Sequence, residues 1–327
     1  MKGVWRPVGK LLLGVGALWA LLLALEWSAF ARQRRVPAWS WPVAPAPAPA
    51  NAAKGAFLLL DGNRSLALTP PDLARLQKAL ARAGILHVAA AVSAGSGAST
   101  IERALGLAGK TRDCFVALAL GAEDLARDAL AGSGAVPRPH LVRHGADIEV
   151  VPAPKAPPAT GSWLDYVPVV RFLGRDDVTV IGEGILPHAM WPYARSLAKE
   201  TARYRQTRLA LTLLRDDLKP RNSRLVVVWV PTPLEIVPAT LSACLADLGL
   251  DTESIESRRP ARRVRDLCTE LGLVFVDATG PLIKSMQKKR RVFVAGDPPP
   301  LAGVLSERGR TRVITALVAG VQRLLTR

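Results

Sequence analysis

Five short, almost wholly apolar runs constrain this chain more than anything else in it. They are "AFLLL" (56–60), "HVAAAV" (87–92), "FVALAL" (115–120), "RLVVVWVP" (224–231) and "LVFVDA" (273–278). A strand with one solvated face alternates apolar and polar residues; these runs do not, so they read as strands covered on both faces. Helical patterns separate them. "TPPDLARLQKALARAG" has Thr69 as N-cap, Pro70 in the first turn and Gly84 as the stop. "STIERALGLAG" opens on a capping box, Ser99 with Glu102, and "AEDLARDAL" follows the third run. Buried strands joined by right-handed helical crossovers imply a three-layer α/β/α sandwich around a five-stranded parallel sheet. Sites in such sheets form beyond the carboxyl ends of the strands. The stretches to inspect are those after strands one, two and three, and the loop before the last helix.

The rest of the chain arranges itself around that pattern. Residues 1–10 are a short basic tail, and residues 11–31 are apolar apart from Glu26 and Ser28. At about 1.5 Å per residue that segment matches a hydrocarbon core of about 30 Å, and it reads as a transmembrane signal anchor. Trp5 and Trp27 suit its interfaces. Basic residues flank both ends (Lys2, Arg6 and Lys10; Arg32, Arg34 and Arg35), so charge alone leaves the orientation open. Residues 32–54 form a Pro/Ala-rich spacer. The domain proper is 55–327, with an insertion at about 131–190 that carries turn residues and one short strand, "DIEVV". A long helix is expected from Met190 to Leu218, two more around "PATLSACLADLG" and "PARRVRDLCTELG", and a terminal one over "SERGRTRVITALVAGVQRLL".

The formal net charge of +17 favours anionic partners such as acidic polysaccharide or lipid headgroups. "SRRPARRVR" and "KKRR" concentrate it, either as binding surface or as solvated helix faces. No nucleic-acid signature with interleaved aromatics accompanies them. Cys114, Cys244 and Cys268 form no metal-ligand spacing. Cys244 and Cys268 lie on successive helices and read either as a disulfide or as two buried thiols. His87 begins the second strand, His140 and His144 lie in "PRPHLVRHG", and His188 precedes the long helix. No metal site or cofactor follows from these residues.

The four inspected stretches resemble the motif blocks of the SGNH/GDSL hydrolase superfamily, over about residues 55 to 327. The resemblance implies a flavodoxin-like sandwich, and is greatest to membrane-anchored bacterial members, some of which act beside acyltransferases on exported polysaccharides. The family carries a Ser nucleophile in a Gly-Asp-Ser turn, a Gly and an Asn in the oxyanion hole, and an Asp-x-x-His pair. "LLLDGNRS" instead aligns Asp61 with the family's Asp and puts Gly62, or in the next register Arg64, at the nucleophile position. "VSAGSGAST" puts Gly95 on the oxyanion-hole position. "LALGAEDL" keeps Gly121 and Asp124 but has Glu123 in place of the Asn. An ionised Glu accepts hydrogen bonds only and would repel an oxyanion. "DPPPL" keeps Asp297 but puts Pro300 where the base should stand. Triad enzymes lose most of their rate when either member goes.

The resemblance therefore implies a degenerate SGNH-type domain outside the cytoplasm, held by one span in a bacterial inner membrane. It would bind or scaffold in cell-envelope polysaccharide modification, with an acyltransferase and acidic polysaccharide as partners. Two alternatives stay open. One is an active esterase or O-acyltransferase in which Ser65, the nearby hydroxyl, serves as a relocated nucleophile; the other is a structural envelope subunit that binds nothing. Asp61, Glu123, Asp124 and Asp297, with Gly95, are ligand-binding candidates, for a cation or a sugar hydroxyl. The same acids can equally cap turns and helices.

Overall fold

A computed structural model describes residues 56–61, 66, 68–82, 85, 87–89, 100, 112–133, 140–145, 147–151, 178–181, 184–195, 200–288, 290–294 and 304–325. The apolar segment 11–31 and the spacer lie outside the described residues. No helix among the described residues is long and apolar enough to cross a membrane.

The sheet is built from β1 (Ala56–Asp61), β2 (His87–Ala89), β3 (Phe115–Leu120), β8 (Arg224–Trp229) and β9 (Val274–Asp277). Its order is β2-β1-β3-β8-β9, and every pairing is parallel. Register follows the apolar runs: Leu58 pairs Val116 on one side of β1, and Leu118 pairs Val227 across β3. The period-two pleat then divides each run between two cores. Val116, Leu118 and Leu120 with Leu225, Val227 and Trp229 point into one; Ala117, Ala119, Val226 and Val228 point into the other. The first core is closed by α2 (Ala122–Ser133), α3 (Glu200–Leu218), α5 (Pro238–Leu248) and α6 (Arg259–Glu270). The second is closed by α1 (Pro70–Ala81), α7 (Thr279–Gln287) and α8 (Glu307–Leu325). A single short turn of helix, α4 (Pro233–Ile236), follows β8. Two cores on opposite faces of one sheet make the three layers.

Local chemistry sets the helix starts. Thr69 donates its backbone N–H (3.0 Å) and hydroxyl (2.6 Å) to Asp72, closing the expected cap of α1 behind Pro70. At the start of α2, Asp124 accepts the Gly121 N–H at 2.8 Å. Asp128 is fully buried and joins two elements, taking the Thr100 N–H at 3.0 Å and the Thr207 hydroxyl at 2.6 Å. The last helix approaches β9 closely because Gly320 has no side chain: a Cβ there would stand 2.3 Å from Val276 Cγ2.

The insertion differs from the single expected strand. β4 (His140–His144) and β5 (Asp147–Val151) form an antiparallel hairpin, and β6 (Val178–Ile181) pairs β7 (Gly184–Pro187) in a second. The first hairpin docks on α3 through Leu141 against Leu209 and Ala210. Gln206 holds the Leu141 backbone at both its N–H (2.9 Å) and its carbonyl (3.0 Å), as a neighbouring strand would. The long helix is described over Glu200–Leu218, and Met190 lies not in it but in a 3-10 segment, His188–Tyr193, consistent with Pro192, which removes a helical donor. Cys244 and Cys268 are free, buried thiols and not a disulfide. Cys244 Sγ instead faces Met190 Sδ at 3.6 Å. Burial pushes the Cys244 thiol up to about 11 and the Cys268 thiol up to about 12.

Candidate functional site at the carboxyl edge of the sheet

With all strands parallel, one edge of the sheet collects every carboxyl end. β1 delivers Asp61 there, paired in register with Ala119 of β3. Gly62, Ser65 and Gly95 lie outside the described residues. Asp61 is described only as the last residue of β1.

β3 delivers Gly121, Glu123 and Asp124. Asp124 is committed to the α2 cap, so a ligand would have to displace a buried hydrogen bond to reach it. Glu123 is only 7% exposed, at the start of α2, where the helix dipole favours an anion. It lies close enough to Tyr193 for its charge to help hold that phenol in the neutral form.

β8 delivers a cluster that the sequence reading missed. Glu235 accepts the Thr232 N–H (3.0 Å) and the Tyr193 hydroxyl (3.3 Å) on Oε1, and the Trp229 indole N–H (2.8 Å) on Oε2. The Tyr193 and Thr232 hydroxyl oxygens are 2.8 Å apart. All four residues are buried. Burial pushes the Glu235 carboxyl up to about 8, and the charge of Asp277 adds to it; the Thr232 and Trp229 donors and Arg258 oppose it without winning. Burial also raises the Tyr193 phenol well above its ordinary value, followed by the charge of Glu235. Burial thus favours the neutral acid beside a neutral phenol, both held in hydrogen bonds within the fold. "TPLE" is legible in the sequence as a T-x-x-E capping box. Its burial, which sets the protonation state, has no local signal.

β9 delivers Asp277, which accepts the Thr279 N–H (2.9 Å) and hydroxyl and a guanidinium N–H of Arg265 (3.1 Å). The stretch that carries Asp297 and Pro300 lies outside the described residues, but both of its stems are described. Phe293 bridges Leu305, Val294 N–H donates to the Val304 carbonyl (2.8 Å), and Ser306 N–H donates to the Val292 carbonyl (2.8 Å). The second stem runs into α8, whose first turn is tied to α1. Arg310 donates from Nε to the buried Asp72 (2.5 Å) and from a terminal nitrogen to the Leu305 carbonyl (2.7 Å), while Arg75 pairs with Glu307. Burial alone would raise the Asp72 carboxyl, but the Thr69 hydroxyl and N–H together with Arg310 hold it below its ordinary value. Because α1 starts just after β1, this clasp brings residues 294 and 304 to the carboxyl edge.

The histidines are dispersed. His87 begins β2 and so stands at the opposite, amino edge. His140 and His144 belong to the inserted hairpin, where His144 faces Glu149 at 3.2 Å. His188 begins the 3-10 segment. Among the described residues no group of three or more His, Cys, Asp or Glu could hold a metal ion.

No protein-family model and no curated protein matches this chain. Solved structures do. LAE5, an alpha/beta hydrolase enzyme from the metagenome of Lake Arreo, Spain, is 12% identical over 84% of this chain and 97% of its own, with a TM-score of 0.43. A catalytic mutant of Axe2, an acetylxylan esterase from Geobacillus stearothermophilus, is 11% identical over 84% and 96%, with a TM-score of 0.41. Phospholipase A1 from Streptomyces albidoflavus NA297 is 11% identical over 83% and 100%, with a TM-score of 0.43. Likeness at this level leaves the chemistry to be argued from this chain's own residues.

Proposed function

We propose that this protein is a membrane-anchored, SGNH-like binding module that has given up hydrolysis and serves in cell-envelope polysaccharide modification. One observation carries the reading. The clasp of Arg310 on Asp72 and Leu305 brings both stems of the 295–303 stretch to the carboxyl edge, and that stretch offers Asp297 and three prolines but no imidazole. The two hydroxyls described at that edge near Glu235, Tyr193 and Thr232, are buried in a closed network. An acyl-transfer enzyme needs a nucleophile with a base in hydrogen-bonding reach and a donor for the oxyanion. Glu123, at the oxyanion position of the resemblance, is an acid.

In this reading the apolar segment 11–31 spans a bacterial inner membrane, and the domain stands outside the cytoplasm beside an acyltransferase. Acidic polysaccharide is the ligand, favoured by the net charge of +17. The test is twofold. The purified protein is expected to leave an aryl acetate unhydrolysed above buffer rate, and Pro300→His to restore nothing, since Gly62 or Arg64 still offers no nucleophile. Turnover abolished by Ser65→Ala would overturn the reading in favour of a rearranged esterase. Oligogalacturonate should bind at low salt and dissociate at high salt; no binding at any salt would leave the inert envelope subunit.

A further inference from the structure

The amino edge of the sheet, opposite the candidate site, carries a groove of about 660 Å³ between the α3–β8 and α6–β9 connections and the last turn of α8. That volume suits a small amphiphile. Leu218 and Leu225 are buried in its wall, and Leu271, Leu273 and Leu324 are half-buried along it. Leu325, next in the chain, is 43% exposed. Gly272 faces open space at the rim.

The groove's charge is one-sided. Arg215 and Asp216 pair with each other at 2.7 Å and cancel. Arg224 is exposed and gives one guanidinium N–H to the Leu324 carbonyl at 3.1 Å, leaving others. The Lys219 side chain is exposed, and its ammonium has no hydrogen-bond or ion-pair partner among the described residues. A groove that sets leucine side chains beside polar ones, Asn222 and Ser223 among them, and carries the uncompensated cations Lys219 and Arg224 can take an apolar chain with an anionic head. Among the described residues no aromatic ring lines it, which argues against sugars and nucleobases, whose sites use stacking surfaces.

Topology adds a second, independent observation. All five strands are parallel, so Ala56, where the chain arrives from the apolar segment and spacer, stands at this same edge. β1 and β8 are separated by β3 alone, which is two strand spacings, or about 10 Å. The groove and the amino end of β1 therefore lie at the same edge of the sheet.

We propose that this groove binds an anionic phospholipid, with its headgroup on Lys219 and Arg224 and an acyl chain along Leu271, Leu273 and Leu324. The lipid's availability rests on the membrane-anchored part of the proposed function; the groove's chemistry does not, and neither part depends on lost catalysis.

The test reconstitutes the full chain in phosphatidylcholine vesicles containing a trace of a diazirine-tailed phosphatidic acid, or of the same diazirine lipid with a choline head. Cross-linked peptides are then mapped. The anionic probe should label peptides from 215–225, 271–274 and 324–325 roughly tenfold more than the choline probe. Lys219→Glu with Arg224→Glu should abolish that difference, as should the milder Lys219→Gln with Arg224→Gln, with Tm measured for both pairs. Groove labelling that is equal for both probes, indifferent to all four substitutions, or absent while residues 11–31 are labelled overturns the proposal. Groove labelling without labelling of 11–31 supports the lipid site and refutes the anchor, so the two failures are distinguishable.

Discussion

Glu235 makes the stability of this protein depend on pH in a direction opposite to that of most carboxylates. Its carboxyl is pushed up to about 8 in the fold, from an ordinary value of 4.5, by burial first and then by Asp277. Between those values the native state holds a proton that the unfolded chain has released. Stability from this group is therefore fully present below about 4.5 and is lost as pH rises through about 8. At about 1.4 kcal/mol per pH unit, the loss approaches about 5 kcal/mol over that window. Glu235→Gln removes the titration at a cost of its own. The Trp229 indole N–H, Thr232 N–H and Tyr193 hydroxyl all point at the carboxyl oxygens, so an amide NH2 must face a donor. An unmatched buried donor costs about 1–3 kcal/mol. The variant should thus be less stable than the parent by about 1–3 kcal/mol at pH 4.5, and more stable by about 2–4 kcal/mol at pH 8.5, from the difference of the two effects. Urea unfolding followed by tryptophan fluorescence at both pH values measures this. A difference of one sign at both, or a parent whose stability rises from pH 5 to 8 while the variant's stays flat, would show that the network holds a carboxylate and not an acid.

Other expectations follow from the same contacts. Arg310→Leu removes the cation from the fully buried Asp72 and should lower unfolding free energy by about 3 kcal/mol, at the low end for a broken buried pair because Thr69 still donates and Arg75 stays at 3.5 Å. Adding Asp72→Asn should recover part of that loss. Because the Asp72 carboxyl sits below its ordinary value, its contribution should persist above pH 4 and fade only as pH falls through its native value, which acid titration of Tm checks. Gly309→Ala would put a Cβ 2.2 Å from the Val292 carbonyl oxygen, and Gly320→Ala one 2.3 Å from Val276 Cγ2. Both should lower Tm through about 1–3 kcal/mol of overpacking, Gly309→Ala more because a backbone atom cannot rotate away. Cys244 and Cys268, with thiols pushed up to about 11 and 12, should resist Ellman's reagent in the native state and react together on unfolding.

Local patterns read in the sequence reappear in the fold wherever one element sets its own terms. The apolar runs became the parallel strands because a segment without polar alternation has no face to give to water. Thr69 became a cap because the residues that satisfy its helix start lie within three positions of it. The insertion was misread because its strands are short and depend on partners: β4 is held by Gln206, 65 residues away, and not by any pattern of its own. Of the candidate residues, Glu123 and Asp124 stand at the carboxyl end of β3 as their place after the third run implies, but the Glu235 network has no local signal beyond its capping box.

What the sequence determined by itself is thus the parallel sheet and the local helix caps, since these are properties of residue identity and short-range spacing. Only the tertiary structure decided which charges are buried and what they face. Asp72 meets Arg310 across 238 residues, and Glu235 is pushed toward its neutral form in a buried network drawn from the 3-10 segment, β8 and α4. The free energy of an ionisable group depends on the dielectric and dipoles that other elements bring to it, and no window of sequence contains them.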